Sequence, residues 1–159
     1  MEAQIAALAG LIEASPLGVA MRGGVQGLYG WVNVAHLFGL VLLVGPIGVL
    51  DLRIIGFGRT LAPAALSRML TPLAIAGLIV SALSGSMLFA ADAGPLSRSL
   101  VFRIKLLLIA AGLVNALLFR LRYGDLSSRE PSPRARVMAA GSITAWLSVG
   151  ALGRLIAYS

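Results

Sequence analysis

Residues 29–59 read YGWVNVAHLFGLVLLVGPIGVLDLRIIGFGR, and this stretch decides what kind of protein the chain is. From Gly30 to Leu50 it carries no Asp, Glu, Lys or Arg, and about 20 apolar residues in a row are what a helix needs to cross the hydrocarbon core of a bilayer. Tyr29 and Trp31 stand at one end, where interfacial aromatic rings belong, and Asp51 and Arg53 close the other. Pro46 removes a backbone donor and crowds the carbonyl four residues before it, which predicts a kink between Leu42 and Pro46, with Gly45 and Gly48 easing close packing.

The rest of the chain has the same character. With 58% hydrophobic and 12% charged residues in 159 positions, it is too apolar for a soluble domain of its size. The sequence therefore predicts one integral membrane domain over residues 1–159, an all-α four-helix transmembrane bundle. By apolar length its spans lie at about 30–50, 72–91, 100–121 and 136–156. Thr71-Pro72 can start or kink the second span, in which Gly77, Ser81 and Gly85 form a small-residue stripe for close helix approach. Ser99 or Ser97 caps the third, which opens with Arg103 and Lys105 and ends at Arg120, Arg122 and Gly124. Residues 125–134 read as a loop. Gly141, Ala145 and Ser148 mark one face of the fourth. Ahead of the first span, Ile5, Leu8 and Ile12 recur opposite Glu2 and Glu13, and Ser15-Pro16 caps a second short helix. This pair is expected to lie as an amphipathic segment at the membrane surface. The early acidic residues do not suit a secretory leader, so the segment is expected to be retained.

The net charge of +7 would suggest nucleic acid in a soluble protein. Here the basic residues sit between apolar blocks and read instead as topology signals and contacts for anionic lipid. Arg53, Arg59, Arg68, Arg120, Arg122, Arg129, Arg134 and Arg136 fall on the side of the first and third connections; Arg22, Arg98, Arg103, Lys105 and Arg154 fall on the other. The positive-inside rule then places both termini outside, in the periplasm if the membrane is a bacterial inner membrane. There is no cysteine, which excludes disulfides, thiolate metal sites, iron–sulfur clusters and covalently attached haem. Walker loops, nucleophile elbows, dinucleotide fingerprints and paired Glu–His metal motifs are missing as well, so self-contained hydrolytic or phosphoryl-transfer chemistry is not expected.

His36 is the only histidine, and lies about six residues, or roughly 9 Å, inside the first span. Lys105, Ser84, Met87 and Ser148 reach a similar depth on the other spans, and Tyr29, Asn33 and His36 share a helix face expected to turn inward. Four readings of His36 are open. It is a packed residue satisfied by a serine, a carbonyl or Asn33. It is an axial ligand of haem b, with Met87 as second ligand, Gly85 making room for the macrocycle, and Arg103, Lys105 and Arg154 beside the propionates. It is a copper ligand together with some of Met21, Met69, Met87 and Met138. Or, with Lys105 or Asp92, it relays protons or binds an anionic headgroup. Elsewhere Asp51 and Arg53 read as interfacial anchors, with Asp51 otherwise pairing with Arg68 or an arginine of the third connection; Asn115 is expected to bond across helices, and Trp146 to pack in the core or wall a cofactor. The small-residue stripes suit a second copy or a partner membrane subunit.

Trp31-Val-Asn33-x-x-His36-x-x-Gly39, the following VGPIGVLDLRIIGFGR, Ser84-Gly85-Ser86-Met87-Leu88-Phe89 and Phe102-Arg103-Ile104-Lys105 resemble a bacterial family of uncharacterised four-helix integral membrane proteins, a domain of unknown function. The resemblance covers nearly the whole chain and implies fold and membrane location without an activity. More remotely, a histidine in one helix, a Ser-Gly pair in the next and a lysine opening another are similar to the membrane domain of copper-resistance CopD-type proteins, which implies copper handling or haem-like ligation at His36, with Lys105, Ser84 and Gly85 nearby.

Overall fold

The computed structural model describes residues 2–124, 126 and 131–156, and among them there is no strand. Seven α-helices follow in order: α1 (Glu2–Glu13), α2 (Pro16–Val19), α3 (Leu28–Ile55), α4 (Pro63–Ala91), α5 (Ala93–Arg98), α6 (Leu100–Tyr123) and α7 (Pro133–Ile156). A wide π-type turn at Ala20–Gly24 extends α2. Four of the helices, α3, α4, α6 and α7, are long and apolar enough to cross a membrane. Phe38 (66% exposed), Leu107 (70%) and Leu121 (74%) face outward, which suits lipid and not water. The chain is a multi-pass membrane protein.

Local signals explain the helix boundaries. Gly56 ends α3 at φ 131°, a conformation that costs a glycine little. Pro63 occupies the first turn of α4, where its missing N–H is no loss. Ser99 caps α6 by accepting from the Phe102 amide at 3.3 Å, and Ser132 caps α7 by accepting from the Ala135 amide at 3.2 Å. Two expected boundaries move accordingly. The first span runs through Asp51 and Arg53 to Ile55, and the second begins at Pro63, leaving Thr71 and Pro72 inside α4. Arg53, buried at 5% exposure, donates from Nε to the Leu61 carbonyl (2.6 Å) and from Nη2 to the Arg59 carbonyl (3.1 Å), fastening the short connection. The helix runs on through Pro46.

The four spans pack in the order α4, α3, α7, α6. The α3–α4 seam is the tightest. A Cβ on Gly39 would lie 2.8 Å from the Ser81 amide nitrogen and 3.1 Å from the Gly77 carbonyl, and one on Gly77 would strike the backbone of Leu42 and Leu43. The stripe on α4 therefore does what small-residue stripes do, and it fixes the rotation of α3. Val32, Gly39 and Leu43 turn inward. Asn33 is exposed and Tyr29 is 42% exposed, so of the face expected to turn inward only His36 does; Asn33 follows the buried Val32 by one residue, about 100° round the helix. On α7 the buried stripe is Ala135, Ala139, Ser142, Trp146 and Val149, not the line of Gly141, Ala145 and Ser148. Trp146 wedges between helices: it clusters with Leu43 and Ala74, and its ring atoms lie 3.3 Å from where a Cβ on Gly112 of α6 would stand.

Among the described residues α4 and α6 do not pack along their lengths. They meet through the stacked rings of Phe89 and Phe102, 5.5 Å apart and 9° from parallel. The bundle is closed at that end and leaves a cleft between α4 and α6 toward the other.

At the Phe89 end, α1 and the segment Pro16–Gly24 form a pair bent by 63°; counted as one span they would make a fifth. Ser15 caps α2 as its position before Pro16 suggests, accepting from the Gly18 amide at 3.2 Å. The pair is fastened by Glu13, whose Oε1 accepts from the Gly94 amide of α5 at 2.7 Å. Arg22 donates to the carbonyls of Glu13 (2.5 Å) and Ala91 (3.3 Å) and lies 3.8 Å from the Glu13 carboxylate. The helix α1 packs chiefly on the six-residue α5.

Candidate functional site

Both polar centres of the bundle lie on α3, about four turns apart at 3.6 residues per turn: His36 toward the Phe89 end and Asp51 toward the Gly56 end.

The imidazole of His36 is half-buried, and its Nδ1 lies 3.0 Å from Ser84 Oγ on α4. The Ser84 hydroxyl has one hydrogen, directed at the Val80 carbonyl at 2.6 Å. Its oxygen must then accept from Nδ1–H, which leaves Nε2 as the lone-pair nitrogen. The Ser81 carbonyl is a further hydrogen-bonding neighbour of the ring. Gly85 lies beneath the imidazole: a Cβ there would sit 3.2 Å from Cε1. The space expected to admit a macrocycle seats the histidine ring itself.

The other residues predicted for this site disperse. Lys105 is half-buried, is the charged neighbour of His36, and places Nζ 3.3 Å from where a Cβ on Gly153 of α7 would stand. Histidine, serine and lysine thus share one layer, as their depths suggested. Met87 instead packs against the apolar cluster of Met21, Val32 and Ala91. Arg103 is exposed and folds back to donate twice to the Ser97 carbonyl, from Nε at 3.2 Å and Nη2 at 2.9 Å. Met21 and Met87 share that cluster, whereas Met69 is 65% exposed and Met138 lines the cleft in the opposite half. Among the described residues, no three His, Asp or Glu side chains come together as metal ligands.

The Asp51 half holds what the sequence reading did not foresee. Asp51 is 7% exposed and does not reach Arg68, which lies on the exposed face of α4. The Ser142 hydroxyl of α7 is the polar neighbour of its carboxyl, while Oδ2 has no hydrogen-bond partner. One turn along α7, Trp146 is 3% exposed and its Nε1 is also unpartnered. Both line a cavity of about 190 Å³ between α4 and α6. Asn115, in the same lining, donates to the Met138 carbonyl at 3.1 Å, the cross-helix bond its depth predicted. The signal that could have revealed this site was present: Leu50 and Ile54 keep the helical apolar spacing across Asp51 up to Gly56, so the carboxylate had to lie on a helix and not in a loop.

Compared with protein-family models, curated proteins and solved structures, the chain matches none of them.

Proposed function

We propose that the protein is a multi-pass protein of a bacterial inner membrane, with both termini periplasmic, working as an accessory subunit of a membrane assembly and neither as an enzyme nor as an electron carrier. The observation that carries this reading is the state of its only histidine. Nδ1 ties α3 to α4 through Ser84 and Val80, and Gly85 seats the ring, so the imidazole works as a helix–helix bond. The lone pair of Nε2 and the charge of Lys105 suit a small acidic or hydrogen-bond-donating group at the outer layer, such as a headgroup of an anionic lipid. The place for a partner subunit or a second copy is along α6, which leans on α7 and of whose described residues only Gly112 is fully buried. The eight-to-five division of basic residues between the two sides supports the orientation.

The test is an absorption spectrum with metal analysis of protein purified from haem-replete, copper-supplemented cells. The expected preparation is colourless, holds far less than one metal ion per chain, and loses stability on His36→Ala. A Soret band, or stoichiometric copper, that disappears in His36→Ala overturns the reading in favour of haem b or copper ligation. Reporter fusions at the two termini should report the periplasm; cytoplasmic signals overturn the orientation.

A further inference from the structure

The cleft at Asp51 is independent of the His36 layer. It holds two polar atoms that the fold has buried and left without partners, Asp51 Oδ2 and Trp146 Nε1. Burying a carboxylate oxygen or an indole N–H without a hydrogen bond costs about 1–3 kcal/mol each in proteins, and most native structures avoid it. Both residues line one cavity, about one helical turn apart along α7, because Ser142 neighbours Asp51 and Trp146 follows Ser142 by four residues. The remaining lining is largely apolar, with Leu43, Ile47, Leu78 and Phe119 among its walls. Arg120, the other charged residue of the lining, makes no hydrogen bond to Oδ2.

We propose that this cleft binds a lipophilic amine, with its ammonium on the Asp51 carboxylate and its hydrocarbon chain leaving between α4 and α6. The donor set decides the class. One carboxylate among aliphatic walls cannot complete the six or more oxygens that calcium or magnesium require. An anionic or purely apolar ligand would leave the carboxylate unsatisfied. An ammonium supplies charge and donors together, and a charge-assisted bond of this kind is about twice as strong as a neutral one. Size agrees: about 190 Å³ holds a headgroup and the first carbons of a chain. The absence of α4–α6 packing away from the Phe89–Phe102 stack gives the tail a lateral exit into the bilayer.

Trp146 is its own reporter. The chain has two tryptophans, and Trp31 is 75% exposed, so Trp31→Phe leaves a single indole in the cleft. In phosphatidylcholine nanodiscs, this protein should show a saturable fluorescence change on titration with dodecylamine. Dodecanol should bind at least tenfold more weakly than dodecylamine. Asp51→Asn should weaken the amine at least tenfold, and Ala116→Phe, at an exposed position of the lining on α6, should block binding with the helical fold intact by circular dichroism. His36→Ala should bind normally. No saturable response, equal affinity for dodecanol, or amine binding that survives Ala116→Phe overturns the proposal. If Asp51→Asn does not fold, the alcohol comparison and Ala116→Phe decide it.

Discussion

The two halves of α3 treat a titratable side chain in opposite ways. His36 meets a serine whose hydroxyl is already turned to a carbonyl, and a glycine that leaves space for the ring. Asp51, more deeply buried, meets one hydroxyl and an open cavity. The residue that drew attention in the sequence is bonded through Nδ1 to the neighbouring helix, and the one that read as an interfacial anchor has an oxygen without a hydrogen-bond partner. A polar side chain inside a membrane signals function less by its chemistry than by what the neighbouring helix leaves unpaired.

This contrast rests on the α3–α4 seam, and breaking the seam should have the largest effect. Gly39→Val puts new atoms against the Ser81 amide and Gly77 carbonyl; backbone cannot swing aside, so the expected loss is about 3 kcal/mol or more, at or beyond the upper end for overpacked cores. Gly48→Ala, with nothing within 4 Å, should be nearly neutral. Thermal unfolding in detergent by circular dichroism separates the two, and equal melting temperatures would disprove the seam.

Next in size are substitutions at the two polar centres, which should differ in sign. His36→Ala removes a hydrogen bond and leaves a void over Gly85, a loss of about 1–2 kcal/mol. Asp51→Leu removes a half-satisfied buried carboxyl and should stabilise by about 1 kcal/mol, as replacing buried ionic groups by apolar ones often does; Ser142 can then turn its hydroxyl to the Met138 carbonyl four residues back. Destabilisation by Asp51→Leu would mean that the carboxylate is structurally paired and would undo the contrast.

The smallest effect belongs to the N-terminal clasp. The Glu13–Arg22 pair spans 3.8 Å with side chains 27% and 40% exposed, and a double-mutant cycle should return less than about 1 kcal/mol of coupling. Limited proteolysis of Glu13→Ala should still show earlier cleavage before Leu28, because the Gly94 amide loses its acceptor.

Much of the fold was legible. Apolar run length located four spans; Ser15 and Ser99 were recognisable caps, and Gly77, Ser81 and Gly85 a packing stripe. The helix ends at Ile55 and Pro63 were misplaced because charged residues suggested a loop, whereas Arg53 is buried and bonded to the connection it precedes. The six-residue α5, too short to show a period, was not anticipated. Of the candidate site, the shared depth of His36, Ser84 and Lys105 was readable by counting residues. The roles of Gly85 and Met87 were not, because they depend on how far α4 is rotated.

By itself the sequence determined that the chain crosses a membrane and where, since bilayer thickness and the need to satisfy backbone groups translate directly into apolar length. It also determined the chemistry on offer: one imidazole within the spans, one carboxylate at the end of the first, no thiol. Only the tertiary structure decided which of these groups is satisfied. That depends on the rotation of each helix about its axis, fixed where Gly39 meets Gly77 and Trp146 meets Gly112, and on the side of the bundle left open. Those contacts join residues more than thirty positions apart, and helical periodicity carries no information about them.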